Sequence, residues 1–253
     1  MARIAITGAS GRVGPHVREA LESKHDVFAI GRTEVEACET TIADITNATE
    51  IQDALSDAEC VVHLAAESAS AASWEEVVDP NINGTWNVYN AAVENEVDRI
   101  IFASSNHITH MYNMEDPSEP RGQRPTDELR SVHPDDAPRP SGPYGISKVT
   151  GEAIGTYFAD RENVEVLNLR IGWVLSENRL RELQSSALAA YARSMWLSPR
   201  DCKSAFKQAI DVPLSQNPLT LNLISGNSER YLTMTPTMRA LNFAPKDDSA
   251  EIV

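Results

Sequence analysis

The chain has 253 residues, and its 37 acidic against 22 basic side chains give a formal net charge of −15. This excess of negative charge argues against nucleic acid and anionic membrane surfaces as partners, because both would repel it. The length suits one ordinary α/β domain, and no apolar run is long enough to cross a bilayer.

The first predicted elements are a strand at residues 4–6, a glycine-rich turn and a helix over 13–22. Gly8 permits a sharp exit from the strand, Gly11 lets backbone amides approach a pyrophosphate, and Gly14 lets the helix sit close to the sheet. The helix N-terminus adds unpaired N–H groups and a partial positive charge for an anion. This context predicts a dinucleotide-binding turn, with expected cofactor contacts from Gly8, Ser10, Gly11, Arg12, Val13 and Gly14.

The second predicted strand, at residues 27–30, ends where the adenosine ribose of a dinucleotide is expected. A carboxylate at that point would bind the ribose 2′-hydroxyl, but the sequence there is Gly31-Arg32-Thr33. An arginine and a hydroxyl could accept a 2′-phosphate, which favours NADP over NAD as the cofactor. The alternative is that Arg32 is merely solvated and that Glu34 acts as the acid.

The next predicted elements are a strand at 41–45, a helix near 50–55, a buried strand over 60–66 and a helix that opens within 81–87. His63 lies inside the buried strand and is interpreted as a packed core histidine. The small residues that end this strand suit the close approach of a cofactor. The further cofactor contacts expected along this part of the chain and after a later strand are Asp44, Ile45, Leu64, Ala65, Ala66, Asn83 and Ile171.

Polar residues follow the predicted strand at 99–103, which runs into Ser104-Ser105-Asn106-His107. Side chains just past the carboxyl end of a parallel strand lie at the crevice where ligands bind. The stretch at 111–143 is proline-rich and charged and shows no helical period. We interpret it as a cover over the substrate, with disorder as the competing interpretation.

A helix is predicted over 144–160, and Tyr144 and Lys148 project from one face of it because they are four residues apart. The remaining predicted elements are a strand at 164–170, a helical stretch at 185–193, a helix at 199–209, a strand at 219–224 and a short helix at 236–241. This alternation predicts an α/β fold with a Rossmann-type doubly wound parallel sheet and a small C-terminal substrate-binding portion. One domain is expected over 1–253, with its substrate side built mainly from 106–143 and 171–253.

The patterns TGxxGxxG, VVHLAA, NxNGT, a serine pair after a strand and YGISK together resemble the extended short-chain dehydrogenase/reductases, nearly from end to end. Within that family, the segments IIFASSNH, PRPSGPYGISK, LRIG, MWLSPRD and FAPKDDSAE are similar to those of uronate dehydrogenases and of NAD-dependent glucose-6-phosphate dehydrogenases of halophilic archaea. The resemblance implies an NAD(P)-dependent enzyme that transfers a hydride from C1 of a cyclic sugar to the cofactor and leaves a lactone.

The same resemblance implies that Tyr144 is the general base, that Lys148 activates it and binds the cofactor ribose, and that Ser105 orients the substrate. Tyrosine has an ordinary pKa of ~10, so a value near ~7 requires about 4 kcal/mol of preferential phenolate stabilisation. The ammonium of Lys148 and an oxidised nicotinamide both act in that direction. The resemblance and the sequence pattern together place Ser68, Ser105, Asn106, His107, Tyr144 and Arg193 at the substrate.

The resemblance fails at the residue that grips a substrate carboxylate. Uronate dehydrogenases carry an arginine shortly before their W-x-S segment, where this chain has Tyr191, with Arg193 two positions later. Either Arg193 substitutes, or Arg179 or Arg181 reaches the site, or the substrate lacks the anion. A uronate, a neutral aldose and a sugar phosphate therefore stay open as substrates.

Two other functions are alternatives. A nucleotide-sugar epimerase or dehydratase uses the same three catalytic residues with a tightly bound NAD, but usually devotes more chain to its C-terminal domain than residues 171–253 provide. A non-catalytic dinucleotide-sensing protein is the other alternative, although such proteins often lose the tyrosine or the lysine. A homodimer is expected, since family members often pair through helices that include the one carrying Tyr144.

The composition also indicates the salt concentration and the cellular compartment in which the protein is expected to work. Lysines number only five, and an acidic, lysine-poor surface is typical of proteins kept soluble at high salt, although a merely acidic enzyme is the alternative. Cys38, Cys60 and Cys202 are widely spaced and lack any CxxC, so no disulfide framework and no metal site are expected and a reducing cytoplasm fits. The first strand starts almost at Met1, which leaves no room for a signal peptide.

Overall fold

A seven-stranded, wholly parallel sheet is the central feature of the computed structural model, which describes residues 1–115, 123–124 and 126–253. A separate two-stranded parallel ladder lies near the substrate side. In chain order the strands are β1 (Arg3–Thr7), β2 (Asp26–Gly31), β3 (Glu39–Ile42), β4 (Cys60–His63), β5 (Arg99–Ser105), β6 (Glu165–Ile171), β7 (Trp173–Val174), β8 (Trp196–Leu197) and β9 (Leu219–Leu223). The order across the large sheet is β3-β2-β1-β4-β5-β6-β9.

Helices connect these strands. A π-helical turn at Val78–Asn83 joins the helix that ends at Val77 to the helix that begins at Gly84. Within the described residues the helices are α1 (Gly14–Leu21), α2 (Ala48–Ala54), α3 (Trp74–Val77), α4 (Gly84–Glu94), α5 (Pro143–Arg161), α6 (Glu177–Leu183), α7 (Ala189–Met195), α8 (Pro199–Asp211) and α9 (Thr235–Ala240). None of them combines the length and the apolar character that crossing a bilayer would require.

Both faces of the sheet are covered, because successive side chains of a strand point to opposite sides. On β1, Ile4 and Ile6 pack in the core cluster that contains Phe206 of α8, whereas Ala5 belongs to the cluster that contains Val88 of α4. Helices α1 and α8 pack on each other, and α4 packs on α2 and α5. The predicted Rossmann-type doubly wound fold is confirmed.

The strand order reverses between β1 and β4. From β1 the sheet extends through β2 to the edge strand β3, and from β4 it extends the other way through β5 and β6 to the edge strand β9. In open α/β sheets the ligand crevice lies outside the carboxyl ends of the strands at such a reversal. Gly8 follows β1 at this point and has a positive φ of 70°, a backbone conformation that favours glycine. The fold therefore places the glycine turn at the expected crevice.

The C-terminal part departs from the predicted elements. The helical stretch expected at 185–193 is a turn followed by α7, and α6, which precedes it, was not predicted. Ser176 ends the preceding extended segment, and its hydroxyl accepts a hydrogen bond from the Arg179 amide, which caps α6 at its N-terminus. That serine was a helix-start signal that periodicity alone did not detect.

The described parts of the predicted cover at 111–143 are fastened to the rest of the fold. The backbone amide of Val132 donates to the carbonyl of Tyr231, and the amide of Thr233 donates back to the carbonyl of Val132. Met111 donates to the carbonyl of Arg139. The expectation about residues 116–122 and 125 lies outside the described residues.

Candidate active site

One cavity of about 990 Å³ runs from the glycine turn to the carboxyl end of β5 and on to α7. Its size is at the upper end of the range for small-molecule and cofactor sites. Every residue predicted for the cofactor or the substrate lines this cavity except Gly14, Asn83 and Arg193. Segments far apart in the chain thus meet at one continuous site.

The glycine turn has no room for side chains, as a tightly held phosphate group requires. A Cβ on Gly8 would lie 2.6 Å from the Ala65 backbone nitrogen, and one on Gly11 would lie 3.2 Å from the Gly8 carbonyl oxygen. A Cβ on Gly14 would lie 2.1 Å from the carbonyl oxygen of Ala9. Gly14 therefore sits behind the cavity and allows α1 to start close to the turn, while Gly8 and Gly11 line the cavity. A turn without side chains fits the phosphates of a dinucleotide.

His63 is buried in the core, as predicted, and it braces the wall of the cofactor end. The Thr7 hydroxyl accepts from the Ala65 amide and donates to His63 Nδ1 over 2.7 Å, and His63 Nε2 donates to the Thr85 hydroxyl over 3.2 Å. Burial lowers the pKa of His63 to about 3, so the ring is neutral. It ties the end of β1 to the loop after β4 and to α4.

Tyr144 and Lys148 lie in the first two turns of α5, which passes close to the end of β5. A Cβ on Gly145 would lie 2.8 Å from the His107 carbonyl oxygen, so the glycine permits this approach. Burial raises the pKa of Tyr144, while a hydrogen bond with Ser105 and the charge of Arg12 oppose the shift. The three predicted catalytic residues are thus brought together.

The ammonium of Lys148 is fully enclosed. Its Nζ donates to the Ala103 carbonyl oxygen over 2.7 Å and lies 4.8 Å from the centre of the Phe102 ring. Burial lowers the pKa of Lys148 to about 7, and the carboxylate of Glu152 opposes that shift. Lys148 therefore needs nearby negative charge to stay protonated at neutral pH.

Glu152 and Arg170 form a buried ion pair beneath the catalytic residues, and sequence reasoning missed it. Arg170 donates to both carboxylate oxygens of Glu152 over 2.9 and 2.8 Å, and the Ser104 hydroxyl donates to the same carboxylate over 2.5 Å. A second branch of the guanidinium donates to the Pro134 carbonyl oxygen over 2.9 Å. The i+4 spacing of Glu152 from Lys148 was the signal that could have found it.

The substrate end of the cavity is lined by neutral rings and amides. Asn106 Nδ2 donates to the Tyr191 hydroxyl over 2.6 Å, and that hydroxyl lies 3.5 Å from His107 Nε2. His107 Nδ1 and the Ser141 hydroxyl are 2.9 Å apart. Burial lowers the pKa of His107 to about 4, so its ring is uncharged at neutral pH. His110, which sequence reasoning did not single out, lines the same end.

Arg193, predicted at the substrate, lies outside the cavity lining and is paired elsewhere. Arg193 Nε donates to both carboxylate oxygens of Glu229 over 3.1 and 3.0 Å, and Nη1 donates to Gln184 over 2.8 Å. Residues two apart on a helix point in nearly opposite directions, so Tyr191 faces the cavity and Arg193 faces away.

Arg179 and Arg181 do not reach the site either. Arg179 pairs with Glu182 and Arg181 pairs with Glu177, and both pairs are about half exposed on α6. Their partners lie three or four residues away on one helix, an arrangement that stabilises the helix surface.

Asn83, predicted as a cofactor contact, also lies outside the cavity lining, and its neighbour Asn81 is the buried residue. Asn83 is exposed and donates to Asp79 Oδ1 over 3.1 Å, outside the cavity lining. Asn81 is buried, and its Nδ2 donates to the Ser147 hydroxyl and to the Glu67 carbonyl, each over 2.9 Å. The π-helical turn changes which residue faces inward, and no sequence pattern announces such a turn.

Within the described ranges, no group of three or more histidine, cysteine, aspartate or glutamate side chains is placed to hold a metal ion.

This fold, with a serine, a tyrosine and a lysine at one cavity, defines an extended short-chain dehydrogenase/reductase. The chain belongs to the NAD dependent epimerase/dehydratase family, whose profile matches residues 4–203.

The chain is also similar to individual proteins of that family. The chain is similar to an L-arabinose 1-dehydrogenase (NAD(P)(+)) from Haloferax volcanii, with 46% identity over all of both chains. It is 32% identical to an NAD-dependent glucose-6-phosphate dehydrogenase of the same organism, over 98% of this chain and 94% of the relative. Among solved structures, glucuronic acid dehydrogenase from Chromohalobacter salexigens superposes with a TM-score of 0.81 at 26% identity, over 98% of this chain and 85% of the other.

Proposed function

We propose that this protein is an NAD(P)-dependent sugar dehydrogenase, which oxidises the C1 hydroxyl of a cyclic sugar and gives a lactone. The observation that carries the proposal is the single cavity that joins the glycine turn after β1 to Ser105, Tyr144 and Lys148. The named relatives support it, because they are dehydrogenases of L-arabinose, of glucose 6-phosphate and of glucuronic acid, and the first is named as a 1-dehydrogenase.

Tyr144 takes the proton of the C1 hydroxyl in this proposal, and Ser105 holds that hydroxyl in place. Burial raises the pKa of Tyr144, so its ionisation depends on positive charge nearby. The Lys148 ammonium, 5.8 Å from the Tyr144 ring centre, provides that charge from within the protein. When bound, the oxidised nicotinamide supplies the hydride acceptor.

The residues at the far end of the cavity support a preference for NADP. Arg32 is exposed on the cavity wall beside Thr33, where a 2′-phosphate would meet a guanidinium and a hydroxyl. Glu34, the alternative ligand of a ribose 2′-hydroxyl, is exposed and does not line the cavity. Asp44 does line it, and its carboxylate already accepts two hydrogen bonds from Thr46.

The substrate end supports a neutral aldose. Tyr191 stands where uronate dehydrogenases are expected to carry their carboxylate-binding arginine, and the described residues around it are the uncharged Asn106, His107 and Trp173. The described residues found against the Tyr191 ring and hydroxyl are all uncharged, so a carboxylate or a phosphate bound at that position would lack a cation among them, which is costly in an enclosed site. The relative acting on L-arabinose is named for a sugar of this uncharged class.

A substrate panel tests the proposal. Neutral aldoses, uronates and sugar phosphates are each offered with NAD and with NADP in strong salt, and reduced cofactor is followed by absorbance. We expect turnover with an aldose, and kcat/KM at least about tenfold lower with both anionic classes. Tightly bound dinucleotide with no net cofactor reduction would instead indicate an epimerase or dehydratase. Cofactor binding without turnover of any sugar would indicate a sensor.

The acidic, lysine-poor composition supports a protein adapted to high salt, and its three free cysteines fit a reducing cytoplasm. We expect circular dichroism to show loss of structure in dilute buffer, and full stability there would contradict the adaptation.

A homodimer through α4 and α5 is supported by an exposed aromatic pair. Trp86 is 42% and Tyr157 41% exposed, and their rings lie 5.4 Å apart. Light scattering in strong salt is expected to give twice the mass of the chain; the monomer mass would contradict the dimer.

A further inference from the structure

Trp173 and Leu188 form part of the substrate end of the cavity, and together we call them the apolar wall. Both side chains line the cavity and keep part of their surface accessible, whereas Val174, the next residue along the chain, is 4% exposed. The core cluster that contains Leu175 and Trp196 packs behind them. A molecule bound in the cavity can therefore reach the apolar wall, and covering accessible apolar surface stabilises a complex.

The backbone brings Trp173 to the reacting end of the cavity. Ile171 pairs with Ser105 in the parallel ladder of β5 and β6, and Trp173 follows two residues later. The carboxyl ends of parallel strands share one edge of the sheet, so Trp173 lies beyond the same edge as this serine. Its ring also packs beside Tyr191, whose hydroxyl bonds Asn106. The indole ring thus lies next to the groups that would surround a sugar at Ser105.

The fold fixes the indole ring in place. Trp173 pairs with Trp196 in the ladder of β7 and β8, and the amide of Gly172 donates to the Leu223 carbonyl oxygen over 2.8 Å. The centre of the indole ring lies 5.7 Å from that of the Tyr191 ring. A preformed aromatic surface of this kind loses little conformational entropy when a ligand covers it.

A neutral aldose has two kinds of surface that match this end of the cavity. Its hydroxyls project mainly from the edge of the ring, whereas its C–H groups form apolar patches on the two ring faces. The cavity offers the hydroxyl, amide and imidazole of Ser105, Asn106 and His107, and it offers the apolar wall. Apolar and aromatic lining with a few placed polar groups is typical of small-molecule sites.

We propose that Trp173 is a specificity-determining residue, whose indole ring packs against a C–H face of a neutral aldose held with its C1 hydroxyl at Ser105 and Tyr144. The inference rests on the proposed function for the class of substrate. The contact is the same before and during hydride transfer, so it contributes to substrate binding rather than to the chemical step. It selects between epimers, because a hydroxyl that projects from the contacted face would lose its hydration without gaining a hydrogen bond from the ring.

Calorimetry on Trp173→Leu tests the contact. L-Arabinose, D-xylose, D-galactose and D-glucose are each titrated into the wild type and the variant in complex with reduced cofactor, where no turnover is needed. The leucine keeps the position apolar but removes the flat ring. It is expected to raise the dissociation constant of the tightest-binding sugar about tenfold to a hundredfold.

The four sugars also test the selection between epimers. L-Arabinose and D-xylose differ only in the configuration at C4, as do D-galactose and D-glucose. Inverting C4 moves a hydroxyl onto one ring face and a hydrogen toward the other, so both faces change. The wild type is expected to bind one member of a pair at least about tenfold more tightly than the other, and Trp173→Leu is expected to bind both within about threefold.

Trp74→Leu is the matched control, since Trp74 is 46% exposed and lies outside the cavity lining. It is expected to leave all four dissociation constants within about twofold of the wild-type values. Trp173→Phe keeps a smaller ring and is expected to give values between those of the wild type and Trp173→Leu. An unchanged dissociation constant or an unchanged epimer preference in Trp173→Leu would overturn the inference. If Trp173→Leu binds no reduced cofactor, and so is not folded, Trp173→Phe decides, and wild-type values in that variant overturn the inference.

Turnover separates this inference from the proposed reaction. If the wild type oxidises an aldose, Trp173→Leu is expected to raise KM about as much as the dissociation constant and to keep kcat within about threefold. If the wild type binds an aldose but reduces no cofactor with it, and Trp173→Leu weakens that binding as stated, the proposed reaction fails and the role of Trp173 stands. If the wild type oxidises an aldose and Trp173→Leu binds it equally well, the inference alone fails. If no aldose binds the wild type, both fail.

Discussion

The two ends of the cavity are built in different ways. The core of the cofactor end is the glycine turn, where Gly8, Ser10 and Gly11 follow one another closely in sequence. The substrate end is made of large side chains such as His107 and Tyr191, which belong to separate segments and touch only in the fold. The first kind of site can be recognised from a local motif, and the second depends on the packing of distant segments.

Tyr144→Phe tests the junction of the two ends and has the largest expected effect. The change removes the proton acceptor and keeps the ring, so kcat is expected to fall about 10²- to 10⁴-fold. The dissociation constant of the reduced cofactor, followed by its fluorescence, is expected to stay within about twofold. Tyr157→Phe, on the exposed side of the same helix, is the control and keeps full activity. Near-normal turnover by Tyr144→Phe would remove the catalytic assignment.

Glu152→Gln tests whether the buried carboxylate stabilises the region of the catalytic residues, where the two ends of the cavity meet. The substitution leaves Arg170 without its anion and withdraws the charge that opposes the lowered pKa of Lys148. Breaking a buried pair in this way costs about 3–5 kcal/mol of unfolding free energy. Urea unfolding at neutral pH measures the loss.

Glu182→Gln breaks the exposed pair with Arg179 and serves as the comparison, with an expected cost of about 0–1 kcal/mol. Equal costs for the two variants would show that the buried pair has no special role.

Three buried histidines, one at the cofactor end and two at the substrate end, are expected to make the folded protein less stable in acid. Burial holds the pKa of His107 near 4 and that of His63 and His110 near 3, against an ordinary value of 6.5. The unfolded chain therefore binds more protons below pH 6.5, and the stability these rings contribute is present above that pH and lost as the pH falls toward 4.

Each of the three is expected to lower the unfolding free energy by about 1.4 kcal/mol per pH unit well below pH 6.5. His110→Phe should remove about a third of that slope in urea titrations at pH 6 and pH 5. A slope that the variant leaves unchanged would contradict the neutral buried state of His110.

Arg32→Ala tests the cofactor end alone and has the smallest expected effect. Losing a guanidinium at an exposed wall position is expected to raise KM for NADP about tenfold and to leave KM for NAD within about twofold. Steady-state kinetics with both cofactors measures the difference. Glu34→Gln is the matched control, and a selective loss of NAD use in that variant would favour Glu34 as the ribose ligand instead.

The parallel sheet could be predicted, because apolar periodicity indicates its strands, and the grouping of Ser105, Tyr144 and Lys148 was implied by the resemblance to the short-chain dehydrogenase/reductases. The position of Asn83 outside the cavity lining could not be predicted, since the inward residue of a π-helical turn depends on how that turn closes. The pairing of Arg193 with Glu229 could not be predicted either, because the two residues are 36 positions apart and no spacing rule anticipates such a pair.

His110 was missed for a related reason. Its place at the substrate end of the cavity depends on how segments distant in the chain pack together.

The guanidinium of Arg170 has a consequence for the mobility of the segment around Pro134. It holds the Pro134 carbonyl to the sheet, and the strand-like bonds at Val132 hold the same segment, so lifting the segment would expose a charge and break several hydrogen bonds at once. Ser68 and Ser70, in contrast, line the cavity and are exposed. A small molecule can therefore approach the cavity past these two residues while the segment around Pro134 stays in place.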